Sequence, residues 1–440
     1  MIQATGPDAP ARRLLLGAML TASGAPDDER AWLDPAEPVD ASVNPDWYGA
    51  VARMADEAGV DFLFVADAVF VDPLGPPHYL SRFEPLSVLS YLAAATERVG
   101  LVGTFSASYQ HPYNLARMLM SLDHLSRGRA GWNVVTSLGD RAARNFGLDA
   151  QADHETRYAR AAEAIEVVKG LWRSYDADAF PRDRGTGEYL DLAKQHGLDH
   201  EGRFFSVAGP LNIERSRQGE PVIFQAGQSP PGQRLAAASA DCVFGMQTAM
   251  ADARAYRDSI RGIQREQGLE RPAPKLLLKL MLHLVDDGVP PEAARAEHVR
   301  RHDAFGRVRE RVARAIEREP EGAIGLRDVE RALVNEGTWL ADHLEECRTR
   351  GLPLDAVVVE LGAQGTLIMA GPAGHVADEM ARWLEADACD GFIVQVSNLE
   401  AMRRWAEDLM PELRRRGLVP AEGAAPRTLR ETLGLGEAQG

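Results

Sequence analysis

Short apolar runs alternate with longer amphipathic stretches along most of this chain, and this alternation constrains the fold more than any other feature of the sequence. Continuous apolar strands separated by amphipathic helices are typical of a parallel sheet that helices cover. The sequence therefore predicts a repeating strand–helix architecture. The predicted strands are Leu14–Leu20, Phe62–Ala66, Val99–Phe105, Ala130–Thr136, Pro221–Ala226, Asp241–Met246, Leu276–Val285 and Gly391–Val396.

Amphipathic helices are predicted between these strands, and about eight strand–helix units over 440 residues favour an α/β fold of the TIM (β/α)8 barrel type. The open doubly wound sheet is the main alternative. The turn after the first strand, Thr21–Gly24, lacks the glycine-rich phosphate-binding fingerprint of that alternative. The predicted helices are Pro45–Ala58, Glu84–Thr96, Pro112–Leu125, His154–Tyr175, Gln233–Ala240, Ala251–Gln267 and Leu399–Arg416.

Two stretches interrupt the repeating units, and we interpret both as insertions in a single barrel domain that spans residues 1–440. Residues 177–205 are polar and contain Pro, Gly and Asp, which indicates an excursion before the fifth strand. Residues 290–350 are charged and helical in pattern. Long insertions in barrels usually lie on the face where the strands end, so the second insertion is a candidate lid or subunit contact.

Charge and cysteine usage exclude several classes of function. The formal net charge is −16, and an acidic surface repels nucleic acid and anionic membranes. Cys242, Cys347 and Cys389 have no ligand spacing, so we expect neither a disulfide framework nor a zinc site, and a cytoplasmic location fits. Residues 12–25 resemble a signal peptide in outline, but a buried first strand explains them better. No apolar run approaches the roughly 20 residues that a membrane-spanning helix needs.

Hydrogen-bonding residues follow the ends of the predicted strands, which is where (β/α)8 barrels carry their active sites. Asp67 follows the second strand, Thr104 is near the end of the third, Asn133 lies in the fourth, and Gln225–Ser229 ends the fifth. These residues contain no cluster of metal ligands, no pair of carboxylates and no Ser-His-Asp order. Such a rim suits the binding of a cofactor better than hydrolysis, and we expect no metal.

Ser229 directly precedes a predicted helix and is a candidate phosphate ligand. Backbone N–H groups and a hydroxyl at a helix N-terminus form an anion site, although a serine that only caps the helix needs no ligand. His154 and Tyr158 are four residues apart at the start of a helix, so they share one face and can reach the same ligand. The alternative is a surface histidine above a packed tyrosine.

Asp67 and His111 also have structural alternatives. Asp67 either contacts a ligand or braces the loop that follows its strand. His111 precedes Pro112 and is either a proton donor at the reacting centre or a loop residue fixed before proline. Arg82 and Arg141 lie near the same face, and we interpret them as surface charges.

A series of short motifs, in order along nearly the whole chain, resembles the nitrilotriacetate/dibenzothiophene-sulfone monooxygenase family, a branch of the luciferase-like flavin monooxygenases. Each motif is weak alone, and their joint order is specific. The motifs are Val65–Asp67, Thr104 with His111–Arg117, Gly131–Ser137 with Ala143–Gly147, His154–Glu163, Leu171–Ser174, His200–Phe205, Gly209–Leu211, Gln225–Ser229, Val376–Glu379, Asp390–Phe392 and Thr428–Leu435.

The resemblance implies a barrel with insertions that binds FMN at the ends of its strands. By this resemblance, Tyr158 and Ser229 hold the phosphate, and Asp67, Thr104 and Asn133 lie near the isoalloxazine ring. The residues that correspond to flavin contacts of the family are Asp67, Thr104, His154, Tyr158 and Ser229, with Asn133 and Gly227 as weaker additions. The candidate catalytic residues are His111, His154 and Asn133.

The same resemblance implies that the reaction consumes reduced FMN and O2 and oxygenates a small organic substrate. The sequence carries no nicotinamide-binding unit, so a separate NAD(P)H:flavin reductase is the expected partner. A homodimer or homotetramer is expected.

The sequence departs from the family's pattern at a few positions. Tyr109-Gln110 precedes His111 in place of a small residue and a histidine, which indicates a changed substrate wall, and Gly371-Pro372-Ala373 replaces the usual Gly-Thr-Pro. Two alternatives stay open: a deazaflavin-dependent oxidoreductase on the same barrel, and a barrel that binds flavin without turnover.

Overall fold

Eight parallel strands close into a barrel, which confirms the predicted TIM-barrel fold. The computed structural model of the chain describes residues 12–25, 30–71, 75–137, 139–301, 349, 351, 367–423 and 425–436. Within this part of the chain, the strands pair in the ring order β1-β2-β3-β4-β7-β8-β9-β11, and β11 pairs with β1. The strands are β1 Leu15–Leu20, β2 Phe62–Val65, β3 Gly100–Ser106, β4 Ala130–Val135, β5 His200–Glu201, β6 Ser206–Val207, β7 Val222–Gln225, β8 Cys242–Gly245, β9 Lys275–Leu284, β10 Leu367–Gly371 and β11 Gly391–Val396.

The eight strands of the ring are the predicted ones, each within about one residue at either end. Strand β10 is additional and was not predicted. It pairs in parallel with the last half of β9, while β11 pairs with the first half, so the ten-residue β9 serves both neighbours. Its five-residue run lies between Thr366 and Pro372, outside the repeating strand–helix units that the sequence predicts.

Helices cover the outside of the barrel, and most of them begin at a recognisable capping residue. Helix α1 begins after Asn44, whose side chain accepts the Asp46 N–H, and ends at Gly59 in the left-handed conformation. The helices are α1 Pro45–Ala58, α2 Pro77–Leu80, α3 Pro85–Ala95, α4 Pro112–Leu125, α5 Asp140–Arg144, α6 His154–Trp172, α7 Pro230–Ser239, α8 Met250–Glu266, α9 Pro291–Arg301, α10 Ala373–Glu385, α11 Leu399–Arg404, α12 Met410–Arg415 and α13 Leu429–Thr432, with a π-helical segment Trp405–Leu409 between α11 and α12.

The C-terminal segment seals the interior of the barrel. Leu429 and Leu433 are 1% exposed and pack in one cluster with inward-facing strand residues such as Phe62 and Phe224. A capping box between Thr428 and Glu431 starts α13. The predicted strand–helix units end at Arg416, and this segment beyond them is part of the core.

The stretch of residues 177–205 contains little regular structure, and its end is tied to helix α6. The Glu163 carboxylate accepts the N–H groups of Phe204 and Phe205 and lies 3.3 Å from His200 Nε2, in the short β5–β6 hairpin. The motifs His154–Glu163 and His200–Phe205 therefore belong to one contact. Of the stretch of residues 290–350, helix α9 is described, and most of the rest, with Cys347, lies outside the described residues.

Within the described ranges, no helix combines the length and the apolar character that crossing a membrane requires. Cys242 and Cys389 are buried free thiols. Burial raises the pKa of both thiols, and the carboxylates of Asp241 and Asp390 add to the effect at Cys242.

The C-terminal segment from Thr428 to Leu435 acts as a plug for the barrel interior, so shortening its Leu429 side chain should destabilise the whole barrel. Leu429→Ala removes a side chain packed against the Cα atoms of Gly100 and Gly131, and we expect the free energy of unfolding to fall by about 2–5 kcal/mol. Urea unfolding followed by circular dichroism measures it. Leu192→Ala, at a side chain 72% exposed, is the control and should cost less than about 0.5 kcal/mol. A similar small loss in both variants would contradict a plug role.

His78 should make the protein sensitive to acid. Its Nδ1 donates to the Ala22 carbonyl, and burial, reinforced by the nearby Arg82 charge, lowers the pKa of His78 to about 3. Between pH 6.5 and 3 the unfolded chain binds a proton that the native protein excludes, so stability falls as the pH falls through this range.

His78→Gln should remove this part of the acid sensitivity. Below pH 6, its unfolding free energy should fall less steeply than that of the wild type, by up to about 1.4 kcal/mol per pH unit. Urea titrations at pH 6.0, 5.5 and 5.0 measure the slopes. His196→Gln, at a half-exposed histidine, should keep the wild-type slope, and equal slopes for the wild type and His78→Gln would refute the assignment.

Candidate functional site

Thr104 and Asn133 form a hydrogen-bonded pair at the ends of neighbouring strands. They are partners in the β3–β4 register, both are 4% exposed, and Asn133 Nδ2 donates to Thr104 Oγ1 at 2.9 Å. In the described part of the chain, Asn133 Oδ1 is buried without a hydrogen-bond partner. Buried carbonyl oxygens are normally paired, so this orphaned atom points to a ligand with a hydrogen-bond donor. The structure thus brings together two of the predicted residues.

Asp67 lies directly beyond β2 and is paired with Arg82. Arg82 Nε and Nη2 both bind Asp67 Oδ1, at 3.0 and 2.9 Å, and Nη2 also donates to the Ala68 carbonyl. The Arg82 side chain is only 8% exposed. The interpretation of Arg82 as a surface charge was therefore wrong, because the loop after β2 folds back and buries it. Asp67 Oδ2 makes no hydrogen bond within the described ranges and is left for a ligand.

His154, Tyr158 and Ser229 meet where helix α6 and helix α7 begin. The His154 and Tyr158 rings lie 4.8 Å apart, as expected for positions i and i+4 on one helix face. Ser229 Oγ lies 3.3 Å from His154 Nε2. Three polar groups from the starts of two helices therefore lie close together at one edge of the barrel mouth.

Gly227 allows this convergence. A Cβ atom at this position would lie 2.8 Å from the Tyr158 hydroxyl and 2.7 Å from the Gly232 Cα. Tyr256, which the sequence analysis did not identify, donates its hydroxyl to the Gly227 carbonyl at 2.9 Å. Burial raises the pKa of Tyr256, and the nearby Tyr158 adds to it, so Tyr256 stays a neutral donor. A tyrosine within an amphipathic helix carries no sequence signal for such a role.

The start of helix α7 offers fewer backbone donors than an anion site at a helix N-terminus normally has. Pro230 and Pro231 have no N–H, and the Gly232 N–H binds the Ser229 hydroxyl at 3.4 Å. The first turn of the helix therefore has no unused N–H group for an anion, and the nearby side-chain groups are the hydroxyls of Ser229 and Tyr158 and the His154 ring.

Arg157 fixes helix α6 to the end of strand β4. It is 8% exposed, and its Nη1 donates to Thr136 Oγ1 at 3.1 Å and to the Ser137 carbonyl at 2.8 Å. Asp153 caps the same helix by accepting the Thr156 N–H. Because of these anchors, His154 and Tyr158 are held above the strand that carries Asn133.

His111 does not join the other predicted site residues. It is exposed and caps helix α4, where its Nδ1 accepts the Tyr113 N–H at 3.3 Å. Its ring also contacts Phe205 edge-on at 6.0 Å. These contacts give His111 a local structural role and provide no support for its use as a proton donor. The neighbouring Tyr109 stacks on Phe146 at 4.5 Å.

The described residues contain no group of three or more His, Cys, Asp or Glu side chains that could hold a metal ion. The polar groups at the barrel mouth instead form three small sets: Thr104 with Asn133, Asp67 with Arg82, and the cluster of His154, Tyr158 and Ser229. Within the described residues, each set has polar atoms without a hydrogen-bond partner, which suits an extended ligand that contacts several strand ends.

Comparisons with known proteins identify the family. The profile of the luciferase-like monooxygenases matches residues 26–386. The chain is 36% identical to N-acetyl-S-(2-succino)cysteine monooxygenase of Bacillus subtilis (strain 168), over 96% of this chain and 97% of that protein. It is 32% identical to nitrilotriacetate monooxygenase component A of Aminobacter aminovorans, again over 96% and 97%.

Among solved structures, the EDTA monooxygenase from Chelativorans sp. BNC1 superposes with a TM-score of 0.78 and 27% identity, over 97% of this chain and 99% of that chain. A family profile that covers most of the chain, relatives above 30% identity and the closed barrel agree with one another. The chain belongs to the luciferase-like monooxygenase family of oxidoreductases.

Proposed function

We propose that the chain is the oxygenating component of a two-component FMN-dependent monooxygenase. It would take reduced FMN from a separate NAD(P)H:flavin reductase and use O2 to oxygenate a small organic substrate. The observation that carries this proposal is the orphaned Asn133 Oδ1 beside Thr104, at the mouth of a barrel of this family. The nitrilotriacetate relative is named component A of its monooxygenase, which supports a system in which a second protein is needed.

The residues at the barrel mouth fit FMN at both of its ends. At the edge formed by α6 and α7, Tyr158, Ser229 and His154 would hold the phosphate, with Gly227 leaving the space for it. At the ends of β2, β3 and β4, the free oxygen of Asp67 and the Thr104–Asn133 pair would contact the isoalloxazine ring.

When bound, reduced FMN supplies the two electrons that reduce one atom of O2 to water while the other atom enters the substrate. The protein has to position this chemistry and exclude water from it. Asn133 Oδ1 is available to accept a hydrogen bond, and the Thr104 hydroxyl, which accepts from Asn133 Nδ2, is available to donate its own proton to a ligand. The pair therefore offers a donor and an acceptor side by side in a buried position.

The phosphate assignment predicts a loss of FMN affinity when the two hydroxyls are removed. Each hydrogen bond to a charged group contributes about 1.5–3 kcal/mol, so Ser229→Ala and Tyr158→Phe should each weaken binding by roughly 10- to 100-fold. Fluorescence titration with FMN measures the affinity.

Riboflavin, which lacks the phosphate, is the internal control for these variants. Its affinity should change little in either variant, because the lost hydroxyls have no partner on it. Ser259→Ala, on the exposed side of α8, should bind FMN as the wild type does. Unchanged FMN affinity in both site variants would show that Ser229 and Tyr158 do not bind the phosphate.

The Thr104 hydroxyl should matter for turnover more than for FMN binding. Thr104→Val keeps the shape of the side chain and removes one placed donor, and the loss of such a donor lowers kcat by about 10²–10³. Turnover is measured as oxygenated product by mass spectrometry, with reduced FMN supplied by a reductase. Thr186→Val, in an exposed turn, should leave kcat unchanged. A Thr104→Val enzyme with normal kcat would show that the hydroxyl is not used.

Oxygen consumption and product formation together decide between the candidate functions. The proposal expects both when reduced FMN is present, with one oxygen atom added to a substrate. Oxygen consumption without any oxygenated product over a substrate panel would favour a flavin-binding barrel without turnover. Hydride transfer to or from a deazaflavin, without oxygen uptake, would favour the deazaflavin alternative.

A further inference from the structure

A cavity of about 850 Å³ lies at the barrel mouth, where strand β9 parts from strand β11. Strand β11 pairs with β9 as far as Leu280, and β10 pairs with β9 from Leu280 onward. In the described sheet, the last residues of β11 therefore have no neighbour on β9, and Gln395 borders the cavity at this point. The volume lies within the range of small-molecule sites.

Gln395 points into the mouth from the inside of the barrel. Side chains alternate between the two faces of a strand, and Ile393, two residues earlier, packs in the interior cluster with Phe62 and Phe224. Gln395 is only 6% exposed, and within the described ranges its Oε1 is buried without a hydrogen-bond partner. Buried side-chain oxygens are normally paired, so this atom points to a ligand.

A chain of hydroxyl groups fixes which end of the Gln395 amide is left over. The Thr21 hydroxyl donates to the Val396 carbonyl at 3.1 Å, so the Ser397 hydroxyl, 3.0 Å away, donates to Thr21 Oγ1. A hydroxyl has a single proton, so Ser397 Oγ can then only accept, and it accepts from Gln395 Nε2 at 3.5 Å. The amide nitrogen is therefore turned to Ser397, and the unused end is an acceptor.

The other polar groups on the cavity wall are mostly engaged within the protein. Arg404 binds Asp286 and Asp408, Glu400 binds Arg403, and Asp34 accepts the Ala36 N–H. Met281 and Leu284 add apolar surface. A buried charge on a ligand needs a countercharge, whereas the amide oxygen of Gln395 needs only a donor. The site is thus suited to an uncharged ligand that carries an N–H or O–H group.

We propose that the substrate of this enzyme carries an uncharged N–H or O–H group, and that Gln395 Oε1 accepts a hydrogen bond from it. In the ring of eight strands, β11 is four strands from β4, so Gln395 and Asn133 stand on opposite walls of one mouth. The proposal rests on the proposed function, because it places the substrate across the mouth from the proposed flavin contacts.

Binding of matched pairs of compounds tests the proposal. Isothermal titration calorimetry, with and without FMN, compares N-ethylbenzamide with ethyl benzoate, which replaces the N–H by an oxygen atom. A second pair, 3-phenylpropan-1-ol and its isomer benzyl ethyl ether, tests the O–H group. In at least one pair, the wild type should bind the donor compound at least about fivefold more tightly, because the other compound leaves Oε1 buried without a partner.

Gln395→Met keeps the size of the side chain and removes the acceptor. The preference should fall to about one, while the affinity for the compound without a donor stays the same or rises. Gln267→Met, at an exposed glutamine that follows α8, is the matched control and should keep the wild-type preference. Ser397→Ala frees the amide to rotate, so an intermediate preference is expected, and this variant decides the matter if Gln395→Met fails to fold.

Equal affinities within both pairs for the wild type would overturn the proposal, and so would a wild-type preference in Gln395→Met. These outcomes are distinct from a failure of the proposed function, because the measurement without FMN does not depend on flavin. A preference for the donor compound without oxygenase activity would leave the Gln395 site intact and remove the proposed reaction.

Discussion

The closure of the sheet is the constraint on which the candidate site depends. Parallel pairing places the carboxyl ends of all eight strands at one mouth, so residues far apart in sequence become neighbours. Thr104 and Asn133 are 29 positions apart and face each other because the β3–β4 register pairs them. A slip of one residue would turn these side chains to the opposite face of the sheet. Packing inside the barrel fixes this register, because the C-terminal plug and the inward-facing strand residues form one apolar cluster.

The sequence predicts the barrel well, because each ring strand carries a local signal. Continuous apolar runs mark the ring strands to within about one residue. Gly59, which ends α1, separates that helix from strand β2. Strand β10 and the C-terminal plug lie outside the repeating strand–helix units, and what they bury is set by distant parts of the chain. The periodicity of a short segment cannot tell which distant surface it covers.

Part of the candidate site could be predicted from the sequence, because several of its residues lie at the ends of strands that the local pattern reveals. Asp67, Thr104, Asn133 and Ser229 lie at strand ends, and the spacing of His154 and Tyr158 places both on one helix face, so position alone selects them. Arg82 and Tyr256 could not be selected in this way. Arg82 lies in a loop whose path decides whether its charge is exposed, and Tyr256 contacts Gly227 only because α7 and α8 pack side by side. His111 has the sequence context of a site residue, and the structure gives it a helix cap.

Which polar atoms the protein leaves unused is more informative than which polar residues it has. Arg129 is buried, and all three of its guanidinium nitrogens bind neighbouring carbonyl or hydroxyl oxygens, so its charge serves the fold. Asn133 is about as well buried, but its Oδ1 has no hydrogen-bond partner within the described residues. Burial of a polar group without a partner costs stability, and a fold that retains such groups has a use for them outside itself. This unused oxygen lies near a strand end, where the flavin contacts are proposed, whereas substrate contacts in barrels commonly come from loops. Strand ends are fixed by the closure of the barrel, whereas a loop can change without disturbing it, so one barrel can keep its cofactor and vary its substrate.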